Sequence, residues 1–324
     1  MNIVTLNLIY NYLKGRLFIF SKAILRYALL GFCLFAFSHP TMASDYFLLT
    51  EIGSSAETIG KGGVEGFNHG SSTIFENPAG LYRTDNLSMS IFTTNFMGEI
   101  TYNNIALAGK TAWGNVGIGY MEYASYNIPY TGKNDQNIHF VKDYFDARSS
   151  NTKFSYQFSY SKQIHIGTNV NLYNTQAHDL NGSGFDMDLG VIFKDSDLEY
   201  SVFARNLKPF NQITYSNGST EALPFQLFGG VRYSFYDFDF FGQVSLRDHH
   251  CLPAIGLAYN PFSNSIFHIT SGIKSVINGY KNLVFNYNVG LLLSLSEIHF
   301  SYALEKSEFY QQDFNHFFSV GIRY

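Results

Sequence analysis

The sequence predicts an all-β protein, a transmembrane antiparallel β-barrel of about fourteen strands with an amino-terminal plug. Three observations carry that expectation. Only 14% of the 324 residues are charged while 18% are aromatic, and a mean hydropathy of -0.05 is too polar for a bundle of membrane helices. The last eleven residues alternate: Phe314, His316, Phe318, Val320, Ile322 and Tyr324 share one strand face, and Asn315, Phe317, Ser319, Gly321 and Arg323 share the other. The third observation is the spacing of the strands. Taking strand one as leaving the periplasm, the two longest gaps, 125-151 and 206-222, both follow odd strands, whereas strands four, eight and twelve are followed by almost no connection. A soluble sandwich has no reason to sort its loops by parity.

From the amino terminus, residues 1-43 carry Lys14, Arg16, Lys22 and Arg26 with no acid, then the apolar run Tyr27 to Phe37 and Thr41-Met42-Ala43. This is expected to be a secretory signal peptide; eleven apolar residues are too few to span a bilayer. Phe32 is too bulky to precede a lipidated Cys33, and the exported chain then keeps Cys251 alone, with no internal disulfide. Losing four basic residues moves the net charge from -4 to -8, which gives nucleic acid no purchase.

Residues 44-85 lack alternation and are rich in Gly and Ser, as expected of an irregular plug (hatch) with one short helix over Ser55 to Ile59, capped by Ser54 or Ser55. A phosphate loop is excluded, because Gly60-Lys61 is followed by Gly62 rather than Ser or Thr. From residue 86 to 324 alternation persists. Strands are expected near 86-94, 100-110, 113-124, 152-163, 164-176, 183-194, 197-205, 223-235, 237-247, 252-260, 266-274, 284-295, 297-305 and 314-324.

The glycine-rich run Gly60 to Leu81, ending in Asn77-Pro78-Ala79-Gly80-Leu81, resembles the hatch of the long-chain fatty acid transporter (FadL-like) superfamily. Gly184 to Val191, Phe203 to Leu207 and Leu223-Pro224-Phe225 resemble the mid-barrel pattern of its PorV/PorQ group, and the carboxy-terminal strand resembles the aromatic-ended signal of outer-membrane barrels. The resemblance implies a monomeric barrel in the bacterial outer membrane, contacting its lipid and passing hydrophobic small molecules passively. It leaves open a PorV-like role, in which the loops 125-151 and 206-222 hold a secreted protein partner of a type IX secretion system.

Asn77, Pro78, Ala79 and Gly80 are expected to form the plug turn. Candidate lumen or ligand-path residues are Phe75, Leu81, Asp186, Asp188, Arg205, Phe228 and Arg232. Asp186 and Asp188 share an inward face, where the plain expectation is ion pairing with lumen arginines or with the plug rather than cation binding. Pro78 and Tyr82, with inward Phe203, Phe241 and Phe317, suit either a greasy path or plug packing. Asp248-His249-His250-Cys251 points its neighbours to opposite faces and is not expected to hold a metal. His299 and Ser301 share the lumenal face with no third group, so an outer-membrane lipase, or any other enzyme, is not expected, nor is a cofactor.

Overall fold

The computed structural model describes residues 52-96, 98-247, 250-262, 266-277, 283-306 and 314-324. The expected signal peptide and the start of the expected plug lie outside the described residues. The described residues begin with helix α1 (Ala56–Gly60) and two 3-10 turns (Ser71–Phe75 and Pro78–Arg83). Sixteen strands follow: β1 (Leu87–Phe96), β2 (Ile100–Thr111), β3 (Gly114–Lys133), β4 (His139–Ser159), β5 (Ile164–Ala177), β6 (Leu180–Asp195), β7 (Leu198–Arg205), β8 (Gln212–Tyr215), β9 (Thr220–Ala222), β10 (Gln226–Phe235), β11 (Phe238–Arg247), β12 (His250–Tyr259), β13 (Phe267–Ile277), β14 (Leu283–Leu295), β15 (Ile298–Lys306) and β16 (Phe314–Arg323).

Fourteen of these, all but β8 and β9, pair antiparallel with their neighbours into a closed wall, and β1 closes against β16 with Ser88 opposite Arg323 and Thr93 opposite Phe318. Each expected strand is present. The chain end completes the seam: Tyr324 donates its amide to Leu87 O at 2.8 Å, and its own carbonyl accepts from Asn86 and Leu87. Closure leaves no free sheet edge in the wall.

Period-two alternation decides the two faces. On β4, Phe154, Tyr156 and Phe158 are exposed outward while Lys153, Ser155 and Gln157 are buried inward; on β16, Phe318, Val320 and Ile322 face out and Phe317 is buried. Ile91, Ile118, Leu189, Val244, Ile273 and Val289 extend the apolar outer face around the circumference. An apolar belt of this extent suits contact with hydrocarbon rather than water.

One end of the barrel carries tight turns such as Ser196-Asp197, Tyr236-Asp237 and Ser296-Glu297. At the other end the gaps expected to be plain connections are structured. The β3/β4 pair runs on past Ser125 and Ala147, where β2 and β5 stop pairing, as a two-stranded ribbon projecting about 25 Å at the usual strand rise. Tyr126, Tyr130, Phe140 and Tyr144 are exposed on it. Residues 206-222 contain the β8/β9 hairpin, and β8 pairs with Gly182 to Gly184 of β6.

Candidate functional site

The residues 52-85 form a compact unit whose polar groups are satisfied partly by itself and partly by the inner face of the wall. Ser55 caps α1 by accepting from Thr58 N at 3.2 Å, as its position before the helix leads one to expect. Glu76 is the hub. Its Oε1 accepts from Ser54 Oγ (2.6 Å), Thr58 Oγ1 (2.5 Å) and Asn68 Nδ2 (2.7 Å), and Oε2 accepts from Gly66 N at 2.8 Å. Four donors on one fully buried carboxylate tie the helix, the glycine-rich loop and both 3-10 turns together.

The Asn-Pro-Ala-Gly turn is where this unit meets β6 and β7. Asn77 is fully buried; its Oδ1 accepts from Ala79 N at 3.0 Å, capping the second 3-10 turn, while its Nδ2 donates to Ser201 Oγ at 2.9 Å. Pro78 stands at the first position of that turn, where its missing N–H costs nothing. The wall makes room with glycines: a Cβ on Gly190 would overlap Asn77 Oδ1, and one on Gly167 would overlap the Pro78 and Ala79 backbone. Gly80 packs on Thr73, and Leu81, fully buried, offers its carbonyl to Asn115 Nδ2. Phe75 fits against Gly119.

Charged pairs add further attachments. Arg205 of β7 donates to Glu65 and to Phe75 O, and Arg83 pairs with Glu199. Arg205 also lies 5.1 Å and 4.8 Å from the ring centroids of Phe203 and Phe228, which stack at 4.3 Å. Arg232 pairs with Asp239 at 2.9 Å. No arginine pairs with Asp186 or Asp188 among the described residues. Instead Lys153 holds Asp188 at 2.8 Å, and Asp186 accepts from Asn171 and, at 3.2 Å, from Tyr173 OH. Lys153, Glu65, Glu76, Glu199 and Ser201 were not singled out by sequence; the first was recoverable, since it lies on the inward phase of its strand.

At the tight-turn end a cavity of about 570 Å³ lies between α1, the following loop and β10 to β16, lined by Phe67, Phe241, Ala258 and Leu292 and by Glu57, Lys61, His69, Arg232 and Arg323. Toward the ribbon end the cavities beside Tyr102, Lys153, Tyr173 and Arg205, and beside Gln243, Leu252 and Val276, hold about 30 and 40 Å³. Burial alone would raise the Glu57 carboxyl, but the charges of Lys61 and Arg323 outweigh it and hold it at about 2. Loss of bulk solvent inside the wall, then the charges of Arg83 and Arg323, lower the pKa of the His69 ring, which faces the cavity.

Of the remaining candidates, His299 Nδ1 meets Ser294 Oγ at 2.8 Å rather than Ser301. Asp248 and His249 lie outside the described residues, and no group of three His, Cys, Asp or Glu able to hold a metal occurs among those described.

No family model and no curated protein matches the sequence. The fold does have solved counterparts. A TodX mutant lacking S2 and S3, a monoaromatic hydrocarbon channel, aligns with a TM-score of 0.60 at 10% identity over 84% of this chain and 99% of its own. The Pseudomonas putida toluene transporter TodX aligns at 0.57 and 12% identity over 83% and 96%, and a Pseudomonas aeruginosa FadL homologue at 0.52 and 9% identity over 84% and 98%. These alignments bear on the fold: the chain is a closed antiparallel barrel of fourteen strands whose backbone follows that of these solved structures.

Proposed function

We propose that the protein is a channel of the bacterial outer membrane for the passive passage of hydrophobic small molecules, with residues 52-85 acting as its plug. The observation that carries this reading is the way that segment sits against the inner wall: separate small apolar clusters, such as Ile59 with Phe317, Ile74 and Leu81 with Ala106 and Ala108, and Phe67 with Phe241, are interspersed with individual polar attachments such as those of Asn77, Arg83 and Glu65, in place of one continuous core. Attachments of that kind can be released singly, which suits a gate better than a permanent filling. The tight-turn end then faces the periplasm and the ribbon faces outward. Liposomes holding the purified barrel test the reading. Toluene should enter faster than into protein-free vesicles, and Asn77→Ala should change that rate; entry indistinguishable from protein-free vesicles for both forms refutes it. Fractionation with the outer membrane and heat-modifiable migration are the accompanying expectations.

The exposed aromatic residues of the β3/β4 ribbon favour a second reading, surface attachment of a secreted protein in the manner of the PorV-like group. Under that reading, deleting 130-146 abolishes partner capture at the cell surface while Asn77→Ala leaves it intact.

A further inference from the structure

We propose that Lys153 and Asn171, opposite each other on β4 and β5, are the site of an autocatalytic cross-link: an isopeptide bond between Lys153 Nζ and Asn171 Cγ, formed with loss of ammonia. The cross-link goes beyond the transport reading and stands whether or not anything crosses the wall.

Three neighbouring strands bring the groups together. The register sets Lys153 against Asn171 and Asn171 against Asp186, with Asp188 next on the same inward face of β6. Lys153 Nζ donates to Asn171 Oδ1 at 2.8 Å and to Asp188 Oδ2 at 2.8 Å, so an amine, an amide and a carboxylate already meet. On its other side Asn171 Nδ2 donates to Asp186 Oδ1, while Asp186 Oδ2 accepts from Tyr173 OH at 3.2 Å. All four reacting side chains are buried, Lys153 at 5% exposure and Asn171 and Asp186 at 0%. An ion pair alone would account for Lys153 and Asp188. It leaves unexplained an amide clamped between the ammonium and a second buried carboxyl that has no ion pair of its own among the described residues.

Each group has a step. Asp188 takes a proton from the Lys153 ammonium and frees its lone pair, and the amine attacks Asn171 Cγ; the new C–N bond forms as the carbonyl electrons move to Oδ1. Asp186 accepts a proton from the attacking nitrogen and passes it to Nδ2. The carbonyl then re-forms, the Cγ–Nδ2 bond breaks, and ammonia leaves with that electron pair. No oxidant or further reactant enters: an ammonium, an amide and a carboxylate become an isopeptide, a carboxylic acid at Asp188 and ammonia. Burial supplies the rest. A nitrogen held against its target gains the effective concentration of an intramolecular reaction, on the order of 10⁵ to 10⁸ M. The cavity of about 30 Å³ beside Lys153 and Tyr173 gives the departing ammonia room. The bond ties β4, which carries the ribbon, to β5 within the wall.

Tryptic digestion of the purified full barrel, denatured and read by mass spectrometry, tests the link. Trypsin does not cleave after an acylated lysine, so the wild type should give residues 149-162 joined to 163-194, lighter by one ammonia than the two peptides together. Fragmentation should place the bond between Lys153 and Asn171. Lys153→Arg, which keeps the charge and loses the amine, should give no joined species. Asp186→Asn should slow joining at least about 100-fold after folding into detergent micelles, as expected on losing a general acid–base group. Heat-modifiable migration establishes that each variant is folded. Free 149-153 and 154-162 from the wild type, with nothing joined, overturn the proposal. So does a joined species whose bond lies elsewhere, or a folded Asp186→Asn that joins at the wild-type rate. Should Asp186→Asn not fold, the wild-type digest decides the matter.

Discussion

The contact between Asn77 and Gly190 yields a prediction in which two damaging substitutions should partly cancel. Asn77→Ala removes the cap on Ala79 N and the bond to Ser201 Oγ, leaving both groups buried without these partners. A lost cap costs about 1 kcal/mol and an orphaned buried hydroxyl about 1 kcal/mol more. Gly190→Ala acts from the opposite side: its new methyl overlaps Asn77 Oδ1, which sits on a turn already wedged against β6 and β7. Overpacking of that kind costs about 1 to 3 kcal/mol. In an Asn77→Ala background the overlapping amide is gone and Pro78 Cδ, at 3.3 Å, is the next neighbour, so Gly190→Ala should then cost less than about 0.5 kcal/mol. Hydrogen exchange of the 52-85 amides in detergent reads the opening. Asn77→Ala should exchange about 30-fold faster and Gly190→Ala about 5- to 150-fold faster, while the double variant should stay within about 2-fold of Asn77→Ala alone. If Gly190→Ala accelerates exchange equally in both backgrounds, the two side chains do not meet and the docking described here is wrong.

Two further outcomes follow from the facing and from the buried hub. Phe154→Arg, on the outer face within the wall, should cost about 2 to 4 kcal/mol in barrel stability, whereas Phe140→Arg, on the ribbon beyond it, should stay within about 0.5 kcal/mol; equal costs in urea titrations would remove the assignment of the belt to lipid. Burial, then the charge of Glu65, pushes the Glu76 carboxyl above its usual 4.5, so the docked segment holds that proton more tightly than the undocked one. Docking is therefore strongest below pH 4.5 and weakens as pH rises through the raised value; protease access to 52-85 should increase accordingly, and a Glu76→Gln form with the same pH dependence would show that another group is responsible.

How much of this is written in the sequence differs from element to element. The fourteen wall strands were legible because an exposed apolar face on one side and packed polar groups on the other force a strict alternation, as in Phe154-Ser155-Tyr156-Gln157. The ribbon was not, for the same reason inverted. Beyond the barrel wall both of its faces are exposed, so residues 126-133 and 139-146 carry no contrast between faces even though their backbones pair. The Ser55 cap was legible from local spacing. Lys153 as the partner of Asp188 needs the register across three strands, with Asn171 opposite Lys153 and Asn169 opposite Asp188, which no local pattern supplies. The Arg205 attachment was expected in kind; the identity of its acid, Glu65 rather than a wall aspartate, depended on the loop path.

The seam between β1 and β16 also sets the order of assembly. Ala56 N donates to Ser319 Oγ at 2.8 Å, a contact between residues 263 apart in the chain, and the strand that holds Ser319 is the one whose pairing with β1 shuts the cylinder. Whatever the earlier strands have built by then, this point of the inner segment has no partner until the cylinder shuts, and the cylinder cannot shut before its final strand exists. Closure of the wall and completion of the inner docking are thus one late event joining the two ends of the chain, and a long-range contact of this kind is slow to form because so much chain must be ordered first. A polypeptide arrested before β16 would carry an unsatisfied interior and an open edge together, the combination that quality-control proteases recognise most readily.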